Sequence, residues 1–504
     1  MTVAAAQVMA PANPAPKAHW AGLSFLTLAV LTSVIDASVM TVATPTIART
    51  FHADLATVEW TTTIYSLFFG ATMLLWGKMG TFFGHRRLFV AGNLLFAVSS
   101  ALVGWAPNLA TMIAMRALQG TGAAMFNPAA IALIAFLFPP QDRAMAYGIN
   151  GVATSVGVAL GYMVGGWCAE YWGWRWAFYI NVPICIVAAI GVWLFVPRTG
   201  PTDRRPLDAA GAVASLAGLG LLIFGLSEGE SSGWWKARGL VRLFGRRLAT
   251  DVSPAGISAA AGVLLLVWFV GRERRLRLTG RQPVFDITLF ALPSFRWGAI
   301  AGMLRYLAQF SVNYGVALYL QIDDGVPALK AALISLPNAL AGMIAAPLGG
   351  WLAPRVGVAR AVQAGLALQA VGIAWVWHIL APSMTVWRLV GPFAIFGFGS
   401  GLASAQLNTA SLQDVDSART SDAASAITTL RQLGASFAVA IFGLITSTTL
   451  VRLAAEGYDR TETGTIAMRN EIAAMLLVSL LCVGLSILIP NRRQPRPANE
   501  KNAT

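Results

Sequence analysis

The chain has 504 residues, 56% of them hydrophobic and only 12% charged, with a mean hydropathy of +0.64, which excludes an ordinary soluble globular protein and points to a membrane. A formal charge of +14 would suit a nucleic-acid binder only if Lys and Arg gathered on one polar face. Here they sit in loops between apolar stretches, so no nucleic-acid partner is expected.

Fourteen apolar windows follow one another, each long enough to cross a hydrocarbon core of roughly 30 Å as a helix. Residues 1–20, rich in Ala and Pro, read as a flexible tail without a signal-peptide pattern. The first window, from about residue 21, contains VIDASVMTVATP, residues 34–45. A carboxylate at Asp36 must face a cavity, find a partner or protonate, because a charge in the bilayer costs about 2.5–3.5 kcal/mol on insertion scales. Asp36 is therefore a candidate proton carrier. The second window, from about residue 59, opens on Glu59, which is either a solvated cap or a cavity residue. The loop GKMGTFFGHRR supplies Gly77, Gly84, Arg86 and Arg87 before the third window, from about residue 88.

In the fourth window, from about residue 109, RALQGTGAA carries Arg116 and Gln119, with Asn127 further on. The fixed charge of Arg116 either tunes a neighbouring carboxyl or holds a helix end. The fifth window, from about residue 147, holds Gly148, Gly157, Gly161, Gly165 and Gly166, a density that lets helices approach closely and bend. A sixth window starts near 175, and a seventh and eighth near 208 and 254. Between these last two, WWKARGLVRLFGRRLATD is basic; it is either a tolerated loop insertion or a short amphipathic helix on the membrane surface.

The ninth window, from about residue 296, contributes Arg305, Gln309 and Asn313; Arg305 either snorkels or contacts a substrate. Windows from about 329, 357 and 384 follow, the last with Gln406 and Asn408. The final two start near 420, with Arg431 inside, and near 471. Glu59, Gln119, Asn127, Arg305, Gln309, Asn313, Gln406 and Asn408 are the candidate lining of a polar cavity, or ordinary interhelical glue.

Two segments match across the chain: Gly77 and Gly84 recur as Gly350 and Gly357 at the same spacing, and Arg87 as Arg360. Such parallel repeats characterise transporters built from two halves. The expected division is a cytoplasmic tail at 1–20, a six-helix bundle at 21–197, two additional helices with basic loops at 198–295, a second six-helix bundle at 296–490 and a basic tail at 491–504. With an even number of spans, and with Lys and Arg concentrated on the side of the tails, both termini are expected in the cytoplasm. Cys168, Cys185 and Cys482 show no paired spacing, so neither disulfide nor metal site is expected. GxxxxGK[ST] and HExxH are absent; no enzyme activity, cofactor or direct use of ATP is expected.

Together these motifs resemble the major facilitator superfamily, and within it the fourteen-helix drug:proton antiporters. Asp36 followed by Ala43, Thr44 and Pro45 is similar to the first-span pattern of that family. Gly77, Gly84, Arg86 and Arg87 match its loop after the second span, Arg116, Gln119 and Gly120 its fourth span, and the five glycines of the fifth window its antiporter signature. RQLGASFAVAIFG from Arg431 resembles its thirteenth span. The chain departs at Thr81, where the family loop has Asp, and at Tyr162, where the signature has Pro.

The resemblance implies an all-α polytopic protein with the major facilitator fold, two six-helix bundles plus two extra central helices, in a bacterial inner membrane. It implies a proton-driven exporter of drug-like amphiphilic or monocationic molecules, with Asp36 and Arg116 coupling protons, the Gly77–Arg87 loop as conformational switch, and partners limited to substrate, protons and lipid, with a periplasmic adaptor and outer-membrane channel as further candidates. Two other readings stay open: an exporter of one metabolite or siderophore-like compound, and a receptor or assembly protein that no longer transports.

Overall fold

A computed structural model describes residues 16–491 apart from 54, 201–207, 237–240, 244–245, 249–251, 279–284, 323–325, 327, 382–383, 417–418 and 457–458. A helix satisfies its own backbone hydrogen bonds, which hydrocarbon cannot do, and the chain is helical nearly throughout. In order come α1 (Pro16–Phe51), α2 (Leu55–Phe83), α3 (His85–Trp105), α4 (Leu109–Leu137) and α5 (Pro140–Trp167). A π-helical turn, Cys168–Trp172, then leads to the short α6 (Arg175–Tyr179) and α7 (Asn181–Phe195), which together make one pass. Next are α8 (Ala209–Ser232), α9 (Pro254–Leu278), α10 (Pro293–Ile322), α11 (Ala328–Val356), α12 (Val358–Ile379), α13 (Val390–Leu412), α14 (Thr420–Ala455) and α15 (Arg460–Ser486).

Eleven spans among the described residues are long and apolar enough to cross a membrane, and Ala210–Leu226 is a shorter apolar stretch. The chain is a multi-pass membrane protein.

Two differences from the expected elements have physical causes. The first helix begins at Pro16, inside the stretch read as a tail, because Pro is tolerated in a first helical turn and the next residues are good helix formers. The last begins at Arg460 rather than near 471, so polar residues at its start are helical too. The basic segment after α8 is not a surface helix: Val241–Leu243 (β1) pairs antiparallel with Arg246–Leu248 (β2), and Lys236 bridges Val252. Most of its remaining residues, the 491–504 tail beyond Asn491, and residues 1–15 lie outside the described residues.

The packing repeats itself. Helix α1 packs on α5 and α7, α2 on α4, and α3 on α4 and α7; in the same way α10 packs on α14 and α15, α11 on α13, and α12 on α13 and α15. The matched glycines share a conformation as well as a spacing: Gly84 and Gly357 both have positive φ, 84° and 97°, immediately before α3 and α12. Only glycine adopts that conformation without strain, and a Cβ at Gly84 would stand 2.1 Å from the Thr199 carbonyl oxygen.

The halves meet along α2 with α14 and along α5 with α11 and α13, while α8 and α9 pack together, with α8 laid against α2 and α14. At the end of the bundle that holds the start of α1 and the end of α15, hereafter the terminal end, one apolar cluster runs through both halves, from Phe138 and Tyr147 to Phe285, Leu289, Phe295, Leu412 and Ile427. Towards the opposite end the cores are separate. One holds α1, Trp174 and Phe178; the other holds α10, α12, α13 and α15.

Candidate functional site

Asp36, on α1, is fully buried and its carboxylate accepts from three donors on two other helices. Arg116 Nη1 on α4 pairs with Oδ2. Oδ1 accepts from Gln119 Nε2 at 2.8 Å and from Asn181 Nδ2, at the first residue of α7, at 3.0 Å. Arg116 and Gln119 are three residues apart and so share one helix face; Arg116 Nη1 also donates to Gln119 Oε1 at 2.8 Å.

The guanidinium is fixed from α2 as well: Nε donates to the Thr61 carbonyl at 3.1 Å, and the Tyr65 ring stacks under it at 4.3 Å. Asn181 further donates to Ser100 Oγ at 3.0 Å, and Ser100 donates to the Phe178 carbonyl at 2.9 Å. A buried ion pair survives desolvation only when hydrogen bonds satisfy its remaining lone pairs and protons, and here all but Arg116 Nη2 and Asn181 Oδ1 find partners.

The glycines of α5 bring α1 into register with this cluster. A Cβ at Gly161 would meet Ser38 Cβ at 2.5 Å and the Ile35 carbonyl oxygen at 2.7 Å; at Gly157 and Gly165 it would meet Val34 and Val39. Gly148 instead faces the other half, with the Ala346 carbonyl of α11 at 3.1 Å from such a Cβ. Gly166 is half-buried on the same helix. Helix α5 runs unbroken through Tyr162, whose side chain is outside the described residues, and changes pitch only at the π-helical turn.

The α2–α3 connection tethers rather than stands free. Arg86 donates from its backbone N–H to Thr199 Oγ1 at 3.1 Å and from Nη2 to the Trp193 carbonyl at 2.5 Å, with its guanidinium 4.4 Å from the Trp193 ring. Arg87 is exposed and Gly77 buried. Thr81, in place of an acid, is buried and caps its own helix by donating to the Lys78 carbonyl at 2.7 Å.

The second half carries its own polar centre. Arg305 Nη1 on α10 donates to Gln309 Oε1 at 2.5 Å and to Ser400 Oγ on α13 at 2.8 Å. Arg431 Nη2 on α14 donates to Asn408 Oδ1 at 2.7 Å. Asn313 accepts from Asn338 at 2.9 Å, while both amide atoms of Gln406 lack partners among the described residues.

A family model described as Major Facilitator Superfamily matches residues 26–439. The chain belongs to the Major Facilitator Superfamily. As members of this superfamily are transporters, it is a transport protein rather than an enzyme. Similar proteins include a probable actinorhodin transporter of Streptomyces coelicolor, 29% identical with 92% of this chain and 78% of that one covered. The cephamycin export protein CmcT of Amycolatopsis lactamdurans is 31% identical, covering 82% of each chain. The puromycin resistance protein pur8 of Streptomyces alboniger is 30% identical over 93% of this chain and 91% of that one. The crystal structure of the human organic anion transporter MFSD10 superposes with a TM-score of 0.64 over 93% of this chain and 99% of that one, at 12% identity, and shares the fold.

Within this superfamily fold, the candidate residues divide into separate groups. Gln119 belongs to the sealed Asp36 cluster rather than to a cavity lining. Asn127 donates to the Ala123 carbonyl of its own helix at 3.0 Å, beside Pro128. Gln309, Arg305 and Asn408 gather in the second half, and the Glu59 side chain lies outside the described residues. Asn181, Thr61, Tyr65 and Ser100 were not legible from sequence, since each is a small or aromatic residue in an apolar run whose role depends on a helix elsewhere.

Glu471 was missed for another reason: it marks the edge of the last apolar window, but α15 starts eleven residues earlier and carries it inside. It is fully buried, and it accepts from Ser311 Oγ. Cys168, Cys185 and Cys482 are buried free thiols, and among the described residues no cluster suits a metal.

Proposed function

We propose that this chain is a proton-driven exporter of drug-like amphiphilic molecules, working by alternating access in a bacterial inner membrane with both termini in the cytoplasm. The carrying observation is Asp36: a fully buried carboxylate whose three donors come from α4 and α7. A proton on Asp36 removes the charge that holds Arg116, Gln119 and Asn181, so protonation and helix arrangement are linked through one group.

The apolar cluster that joins both halves at the terminal end supports a conformation closed towards the cytoplasm, with the separate cores at the other end facing outwards. In that state a proton from outside would reach Asp36, loosen the cluster and favour rocking of the halves. The names of the similar proteins, a cephamycin export protein and a puromycin resistance protein among them, support the export direction.

Asp36 is already neutralised by Arg116, so a cationic substrate finds no free carboxylate there; neutral or acidic amphiphiles fit the charge distribution better than the monocations first expected. The test is efflux of a panel of fluorescent dyes from an exporter-deficient bacterium carrying wild type or Asp36→Asn at equal membrane abundance, with and without an uncoupler. Proton-coupled export through Asp36 predicts efflux lost in both cases. Uncoupler-sensitive efflux that survives the substitution would remove Asp36 from the coupling step.

A further inference from the structure

We infer that the substrate carried by this exporter, on the reading given above, bears an organic anion, an aromatic carboxylate or phenolate, that docks between Arg305 and Arg431 against the ring of Tyr306. The two guanidinium groups lie against a single ring: the Arg305 carbon is 4.8 Å and the Arg431 carbon 5.6 Å from the Tyr306 centroid. Both arginines are buried, at 2% and 9% exposure. Each keeps its charge in nearly all proteins and offers five N–H donors.

Their acceptors are neutral and few. Arg305 Nη1 takes Gln309 and Ser400, Arg431 Nη2 takes Asn408, and the Nε of each has no partner among the described residues. No described carboxylate forms an ion pair with either. Glu471 bonds instead to Ser311, further along α10.

The contrast with the first half is direct. Arg116, equally buried, has Asp36 as a built-in counter-ion. Two like charges in a low-dielectric site without a counter-ion are costly, and the missing charge is one that a bound anion supplies. Planar guanidinium groups match a carboxylate in two-point fashion, and the Tyr306 ring beside both offers aromatic surface to the body that carries the anion. Tyr306 and Gln309 are only half-buried, unlike Asp36 and its partners. Gly302, one turn before Tyr306, leaves open the space next to Arg431 Nε, which would lie 3.7 Å from a Cβ there.

The test uses the full chain in lipid nanodiscs, with fluorescein as anionic aromatic probe, rhodamine 6G as cationic comparison, and anisotropy as readout in gluconate buffer. Saturable fluorescein binding is expected, weakened tenfold or more by Arg305→Gln and by Arg431→Gln, with Arg305→Lys and Arg431→Lys losing less because they keep the charge. Thermal melts matching wild type show that the Gln variants are folded; if they are not, the Lys variants and Tyr306→Leu carry the comparison.

No saturable fluorescein binding by wild type, tighter binding of rhodamine 6G, or unchanged affinity in every variant would overturn anion docking. Full displacement of fluorescein by physiological chloride would overturn it too, by assigning the site to an inorganic anion. A separate arm measures efflux of fluorescein and of the neutral dye Nile red by wild type under a proton gradient: fluorescein binding with efflux of neither dye would sink the exporter reading, and efflux of Nile red without fluorescein binding would sink only the anion site.

Discussion

Lys78, near the end of α2, and Asp422, in the first turn of α14, face each other at 3.7 Å across the seam between the two halves. Both are largely buried at the terminal end, where the shared apolar cluster also joins the halves. A contact made only while that end is closed biases the rocking equilibrium by its own free energy and no more. At this separation it is a charge pair without a direct hydrogen bond, worth on the order of 1 kcal/mol.

Lys78→Met and Asp422→Asn are therefore expected to shift the population towards opening at the terminal end by about fivefold, each by a similar amount. Distance distributions between spin labels on α2 and α14 in reconstituted protein report that shift. Unchanged distributions would mean that the apolar cluster alone holds this end shut.

Arg116→Gln strips the counter-ion from a fully buried carboxylate. Breaking a buried pair from one side costs about 3–5 kcal/mol, so a fall in Tm is expected, and the double variant Asp36→Asn with Arg116→Gln should recover much of it. A thermal-melt cycle in detergent measures the coupling; additive losses would show that Asp36 and Arg116 act independently.

Gly161→Ala should loosen the α1–α5 contact, since the new Cβ would stand 2.5 Å from Ser38 Cβ and 2.7 Å from the Ile35 carbonyl oxygen. Overpacking of this kind costs about 1–3 kcal/mol. Gly173→Ala, with nothing within 4 Å but φ at +86°, is the control for backbone strain without crowding. Melts of both variants, read beside efflux rates, separate packing from conformational strain.

Glu471→Gln is expected to leave the fold intact within about 1 kcal/mol, because the amide still accepts from Ser311 and no cation partner is lost among the described residues. Ser311→Ala removes the donor and leaves the buried acceptor unmatched, at about 1–3 kcal/mol. A larger loss in the Gln variant than in the Ala variant would show that the Glu471 charge has a partner.

Asp208, just before α8, receives both forks of the Arg272 guanidinium, at 2.8 and 2.7 Å, tying α8 to α9. That hydrogen-bonded pairing, helped by backbone N–H groups of Gly211 and Ala210 and opposed by partial burial, holds its carboxyl below the usual Asp value. A depressed carboxyl stabilises the folded arrangement above the unfolded pKa of about 3.9 and loses that contribution as pH falls through its folded value. Hydrogen-exchange protection at the start of α8, taken relative to the intrinsic exchange rate at each pH, should therefore fall below about pH 4 and become less pH-dependent in Asp208→Asn.

Sequence by itself determined that this chain crosses a membrane many times as helices, because length and apolarity are properties of each window alone and hydrocarbon admits little else. It also marked Asp36, Arg116 and Arg305 as costly residues that need a reason, and Gly84 with Gly357 as a repeated turn, since positive φ is a local demand. What only the tertiary structure decided is which charges neutralise each other. Asp36 meets Arg116 and Asn181 across 80 and 145 residues, whereas Arg305 and Arg431 share a ring without a carboxylate, and no spacing along the chain distinguishes these two outcomes. Glu471 shows the same limit at a boundary: hydropathy ends a window where a charge appears, but a helix continues as long as its backbone bonds and its packing against α10 favour it.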